Sequence, residues 1–179
     1  MLSTIDQFEH MADLLIQLRK RADGDVVLRC ERADGTSTWQ RQQGRNASFF
    51  VLHDLTHYAV ETVLGCSRGF FGLIAEGWDI SDTEGKSARG PLPPETLAVE
   101  HMVGFLDVER ASAAEWSAAE WMDHGTRAGV DLRRIAGRAI TDRDLNAVRS
   151  RRLELFSEWA SVPVGGQLDL VFPAPPAPG

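Results

Sequence analysis

The chain has 179 residues, 43% of them hydrophobic and 25% charged, which suffices for one domain with its own core and falls short of two. Its formal charge of −7 at pH 7 runs against the clustered basic excess that a phosphate backbone demands, so no nucleic-acid partner is expected. The two cysteines, Cys30 and Cys66, form no C-x-x-C pair, no apolar run approaches the ~18 residues of a membrane span, and MLSTIDQFEHMADLL lacks a signal peptide's apolar stretch. The expectation is a cytoplasmic protein with no membrane segment.

In chain order, Ser3 or Thr4 can cap a helix over residues 3–20, with Ile5, Phe8, Met11, Leu15 and Leu18 at helical spacing. In the following stretch Val26, Leu28 and Cys30 alternate with Val27, Arg29 and Glu31, and Ala33-Asp34-Gly35 supplies a turn, which predicts a β-hairpin over 25–41. Helical spacing returns from Ser48 to Leu64, with Gly65 as the stop. RGFFGLIAEGWDIS predicts a shorter helix ending near Gly77, and SDTEGKSARGPLPP a loop. Pro94 starts a long helix to about Arg110, and Ser112 or Ala113 another through Trp116, Trp121 and Met122. Thr141 with Asp144 opens a last helix through Trp159. QLDLVF, residues 167–172, alternates as a strand most economically added to the hairpin. The predicted architecture is α+β: a predominantly helical single domain over 1–172 with a small antiparallel sheet, followed by a disordered Pro-rich tail at 173–179.

The densest chemistry lies in FFVLHDLTHYAVETVLG, residues 49–65. His53 and His57 fall about 40° apart on a helix, one turn up, in a stripe with Phe50, Val60 and Leu64. Two imidazoles in an apolar stripe both need partners, and a metal ion reached by both rings would supply them. Core histidines satisfied by hydrogen bonds are the plainer alternative. Candidates for a third ligand are Glu61, Cys66 and Glu76; Cys66 reads as a small core residue. Glu76 lies on the next predicted helix, which an antiparallel turn would bring back over the first.

The set His53-Asp54-Leu55-Thr56-His57 followed by Glu76-Gly77-Trp78 resembles the gluzincin, or thermolysin-like, metallopeptidases over about 30 residues. The resemblance implies Zn2+ held by His53, His57 and Glu76, with Asp54 where the family places its general base. That base is a glutamate in the family; aspartate is one methylene shorter, and displacement on that scale can cost on the order of 100-fold in rate. His101, after Glu100 on the long helix, is a candidate to polarise a substrate carbonyl. Trp116 and Trp121 read as core or a partner surface, and Arg149, Arg151 and Arg152 as a solvated face.

These readings lead to a zinc-dependent hydrolase-like protein of unspecified substrate. A second expectation is a non-catalytic helical protein whose histidines are buried or hold a structural metal, with apolar faces that could make a homo-oligomer. A third is a binding protein that uses the pair to hold an anionic ligand.

Overall fold

The computed structural model of the chain describes residues 13–84 and 89–173, and the beginning of the predicted first helix and the end of the Pro-rich tail lie outside them. Four strands, β1 (Leu14–Lys20), β2 (Val26–Glu31), β3 (Ser37–Gln42) and β4 (Gln167–Phe172), form one antiparallel sheet in the order β3-β2-β1-β4. The helices among the described residues are α1 (Ala47–Leu64), α2 (Phe70–Ala75), α3 (Pro94–Ser112), α4 (Ala118–Arg127), α5 (Arg133–Ala136) and α6 (Asp142–Ser161). The fold is α+β and mostly helical, as the sequence predicts.

The described part of the expected first helix is a strand. Leu14, Ile16 and Leu18 alternate inward, at most 1% exposed, while Leu15, Gln17 and Arg19 face outward. The same residues satisfy a period of two as well as one of 3.6, and pairing on both edges decides between them. Ile16 stands opposite Cys30 of β2 on one side and Leu170 of β4 on the other. The last strand is therefore added to β1 rather than to the hairpin, and β1 is an inner strand that the helical reading removed. The hairpin forms where expected: Gly35 takes φ +81°, and Asp34 accepts a 2.8 Å hydrogen bond from the Thr36 amide across the turn.

The inner face of the sheet changes character from one edge to the other. Leu168, Leu170 and Phe172 of β4, and the inward residues of β1 and β2, are apolar. On β3 the inward residues are Thr38, Gln40 and Gln42, which pair with Cys30, Leu28 and Val26. One sheet thus offers an apolar floor with a polar edge.

α1 lies on that floor and is covered on its other side by helices. Its Val51, Leu55, Tyr58 and Ala59 join the sheet core, and Val60 and Leu64 join a second cluster built from α3, α4, α5 and α6. The two clusters meet along α1 and α6: Leu155 and Trp159 of α6 belong to the first, Leu145 and Val148 to the second. Every residue from Asp54 to Glu61 is buried.

The remaining helices start and stop where local chemistry dictates. Pro94 sits in the first turn of α3, and Thr141 with Asp144 forms a capping box at the start of α6. α4 begins later than predicted. α3 runs on through Ser112, Ala113 takes a left-handed φ of +54°, and Ser117 with Glu120 makes the capping box that opens α4. Trp116 and Trp121 consequently do not share a helix face: Trp121 is fully buried, and Trp116 packs on Phe105 at 4.6 Å between ring centroids. Of the arginines read as a solvated face, Arg151 makes surface ion pairs with Glu154 and Glu158, but Arg149 and Arg152 turn inward. Arg149 bonds Glu109 at 2.5 and 3.2 Å, and Glu109 also accepts from the Trp121 indole at 3.2 Å and the Trp116 amide at 3.1 Å.

Glu109, 2% exposed, is thus the charge around which α3, α4 and α6 lock. Removing one member of such a pair strands the other. Glu109→Ala is expected to lower stability by about 3–5 kcal/mol in urea unfolding, whereas Arg127→Ala, which breaks an exposed pair with Asp123, should cost no more than about 0.5 kcal/mol. Similar losses for the two would refute the assignment.

Candidate metal centre

α1 and α3 run antiparallel, and two rungs cross between them: His53 meets Asp107, and His57 meets Glu100. His53 Nδ1 is 2.7 Å from Asp107 Oδ2, and the other oxygen of Asp107 accepts from Arg110 at 3.3 Å. His57 Nε2 is 3.6 Å from Glu100 Oε1. The two rings stand edge to face with centroids 4.9 Å apart. One ligand atom from each of His53, His57 and Glu100 falls within 4.8 Å of the others. Ligands on one tetrahedral ion with bonds of about 2.1 Å stand about 3.4 Å apart, so little closure is needed for the three to share an ion.

Both imidazoles have a carboxylate behind them. Asp107 holds Nδ1 of His53 and leaves Nε2 as the coordinating nitrogen. Glu61 Oε1 lies 3.4 Å from Nδ1 of His57, an electrostatic contact that leaves this buried nitrogen without a hydrogen bond. A carboxylate at the far nitrogen is the usual support of a metal-binding histidine, because it fixes the ring and raises its basicity.

Glu61 has a second task. Its carboxylate accepts from the amides of Phe71 at 3.3 Å and Gly72 at 3.0 Å, in the first turn of α2. Gly69 precedes that turn, and a Cβ there would come within 2.3 Å of Glu61 Cδ. The absent side chain is what lets the carboxylate reach both α2 and His57, which accounts for Glu61 lying beside the pair rather than among its candidate ligand atoms.

Glu76 and His101 do not reach the pair. α2 is only six residues long, its start is held at Glu61, and Glu76 caps its opposite end, where Arg68 binds it at 2.9 Å. The expected return over α1 does not occur, and the carboxylate that meets His57 is Glu100. His101, next along α3, points a helical step away and bonds His124 at 3.0 Å while stacking on Phe105. Cys66 is buried in the helical cluster, as its reading as a core residue implied.

Asp54 does reach the site. A cleft of about 380 Å³ is lined by His53, Asp54, His57 and Glu100 together with Gln40, Phe50, Phe70, Ile80, Thr83, Glu84 and Leu92. Asp54 is 5% exposed and accepts a 2.5 Å hydrogen bond from Gln42 of β3. Burial pushes its carboxyl up to about 6, against the pull of Gln42 and the two histidines. Burial likewise opposes a charge on His57, yet Glu100 and Glu61 outweigh it and lift the imidazole to about 10. Glu100 and Asp107 are both depressed: burial opposes their charges, and His57 for the one, His53 and Arg110 for the other, prevail. Without a cation in the cleft, therefore, a proton on His57 stands between two carboxylates.

Sequence reasoning missed Glu100, Asp107, Gln40 and Gln42. Glu100 and Asp107 are two turns apart on one face of α3, among the buried Val99, Val103 and Leu106, which is the available signal. The glutamines are marked by alternation, since β3 turns polar residues inward where β1 and β2 turn apolar ones.

Comparison of the chain with known protein families, curated proteins and solved structures gives no match. Among the described residues, no helix is long and apolar enough to cross a membrane.

The clearest test of this arrangement is steric. Gly69→Ala is expected to displace Glu61, to lower stability by about 1–3 kcal/mol in urea unfolding, and to shift the His57 ring signals in NMR spectra. An unchanged midpoint and unchanged ring signals would show that Glu61 does not hold His57 and α2 together.

Proposed function

We propose that the protein is a metal-dependent hydrolase whose ion is held by His53, His57 and Glu100. The observation that carries this reading is the convergence of these three side chains with Asp107 and Glu61 at the far nitrogens of the two rings. The donor set fits a divalent transition ion: two imidazoles and one carboxylate suit zinc or iron(II), and the absence of thiolate disfavours copper(I). Zinc is the first candidate. Three protein ligands would leave coordination open, as in catalytic sites.

The ion would supply Lewis acidity toward a carbonyl or phosphoryl oxygen. Asp54 is the candidate proton acceptor, since its carboxylate lines the same cleft and Gln42 fixes its orientation. Asp107 and Arg110 orient His53, and Glu61 orients His57. The thermolysin-like assignment, by contrast, would need Glu76 at the ion, and Glu76 is engaged by Arg68.

A second reading has its own support. His57, charged between Glu61 and Glu100, makes a buried ion cluster without any metal. The protein would then be non-catalytic, and Phe49, Phe50 and Trp39, all more than 40% exposed, would offer contact surface to a second copy.

Metal analysis separates the two. Protein purified without a histidine tag and exposed to zinc is expected to retain it stoichiometrically, and His57→Ala to lose it. Asp107→Asn should weaken zinc binding roughly 10–100-fold while the fold persists by circular dichroism. Wild-type protein that keeps no zinc, iron or manganese after dialysis would overturn the hydrolase reading. Given metal, Asp54→Asn should lower turnover of ester and amide substrates by about 100-fold or more.

A further inference from the structure

The cleft over the candidate centre has a chemical bias of its own. Its described lining contains three carboxylates, Asp54, Glu84 and Glu100, two histidines, and no lysine or arginine. The nearby arginines are occupied elsewhere: Arg110 pairs with Asp107 and lies over the Phe49 ring, and Arg68 pairs with Glu76. The rest of the wall is apolar or neutral, with Phe50, Phe70, Ile80 and Leu92 alongside Gln40 and Thr83.

A divalent ion with Glu100 leaves one net positive charge, Asp54 cancels it, and Glu84 makes the cleft negative. Sites for phosphate or carboxylate substrates place arginine or lysine around the anion, and none stands among the described residues of this lining. Glu84 is exposed at the mouth and makes no hydrogen bond or ion pair with another described residue. At about 30 Å³ for each water-sized group, 380 Å³ holds roughly a dozen, so the ligand is small.

We infer that this cleft takes a small amine, a cationic ammonium group joined to an apolar or aromatic body, with the ammonium toward Glu84 and the body between Phe50, Phe70, Ile80 and Leu92. The inference rests on the proposed site for the reaction and on the cleft lining for its charge preference. The lining is present with or without an ion, so the two stand or fall separately. Anionic substrates of the same size are selected against.

The test compares benzylamine, benzyl alcohol and benzoate by calorimetric titration at pH 7, on the tag-free full chain in zinc-loaded and chelator-stripped forms. Circular dichroism checks that the stripped form is folded. In the stripped form benzylamine is expected to bind at least about tenfold tighter than benzoate. In the zinc-loaded form, where benzoate can also ligate the ion, the decisive comparison is with neutral benzyl alcohol, which benzylamine should outbind. Glu84→Gln should reduce the amine preference by roughly two- to fivefold, as expected for one solvent-exposed charge pair. Phe50→Ala should weaken benzylamine and benzyl alcohol alike.

Benzoate binding as tightly as benzylamine to the stripped protein would overturn the inference. So would benzyl alcohol matching benzylamine on the loaded protein, a preference unchanged in Glu84→Gln, or no benzylamine binding at millimolar concentration. Zinc content measured on the same samples reports on the metal reading alone. A metal-free protein that still prefers the amine would retain the inference and lose the hydrolase.

Discussion

The structure depends on a helix with almost no surface of its own. From Asp54 to Glu61, α1 is buried on every side between the sheet and the outer helices, and five of those eight residues, Asp54, Thr56, His57, Tyr58 and Glu61, carry side-chain polar groups. Burying a polar group without a partner costs more than most single contacts return. The neighbours of α1 are accordingly chosen for hydrogen bonding as much as for shape. Gln42 reaches Asp54 from the sheet, Glu61 takes up the free amides of α2, and Thr56 bonds back to the Leu52 carbonyl at 2.7 Å. His57 is the member least satisfied by protein alone, with Nδ1 lacking a hydrogen bond and Nε2 3.6 Å from Glu100.

That constraint explains why the polar edge of the sheet and the acidic face of α3 occur together. Asp54 and His57 lie about 60° apart on α1 and both line the cleft, where one takes its partner from β3 and the other from α3. The cleft is the space enclosed between those two partners, and its chemistry follows from what the central helix requires.

Much of this was legible in the chain. The hairpin, α1 with its Gly65 stop, the short α2, the proline at the start of α3 and the Thr141 cap all follow from local rules that act over a few residues. β1 was not, because LLIQLRK satisfies two periodicities and the decision belongs to strands that lie 12 and 152 residues away in the chain, as the Gln17 pairings with Arg29 and Asp169 illustrate. The site divides in the same way. His53, Asp54 and His57 share one helix, and their convergence is a matter of helical geometry. Glu100 and Asp107 come to them through the crossing of α1 and α3, which no local pattern encodes, and Glu76 was excluded by the shortness of α2 and its attachment to Glu61. Glu100 meets His57 and the adjacent His101 does not, since a one-residue step on a helix turns the side chain by about 100°.

The two hydrophobic clusters meet along α1, and the charged rungs lie close to that meeting line. Close apolar packing holds each cluster together internally, but along the line polar groups carry part of the cohesion, and water can replace those bonds on opening at little net cost. The line is therefore a natural crack. Partial opening would part the sheet half from the helical half at the rungs before either core melts, and amide hydrogen exchange would register it as a cooperative unit less protected than β1 and β2. A ligand bridging His53, His57 and Glu100 would act as a rivet through that crack, so that occupancy of the cleft would be felt as rigidity far from it.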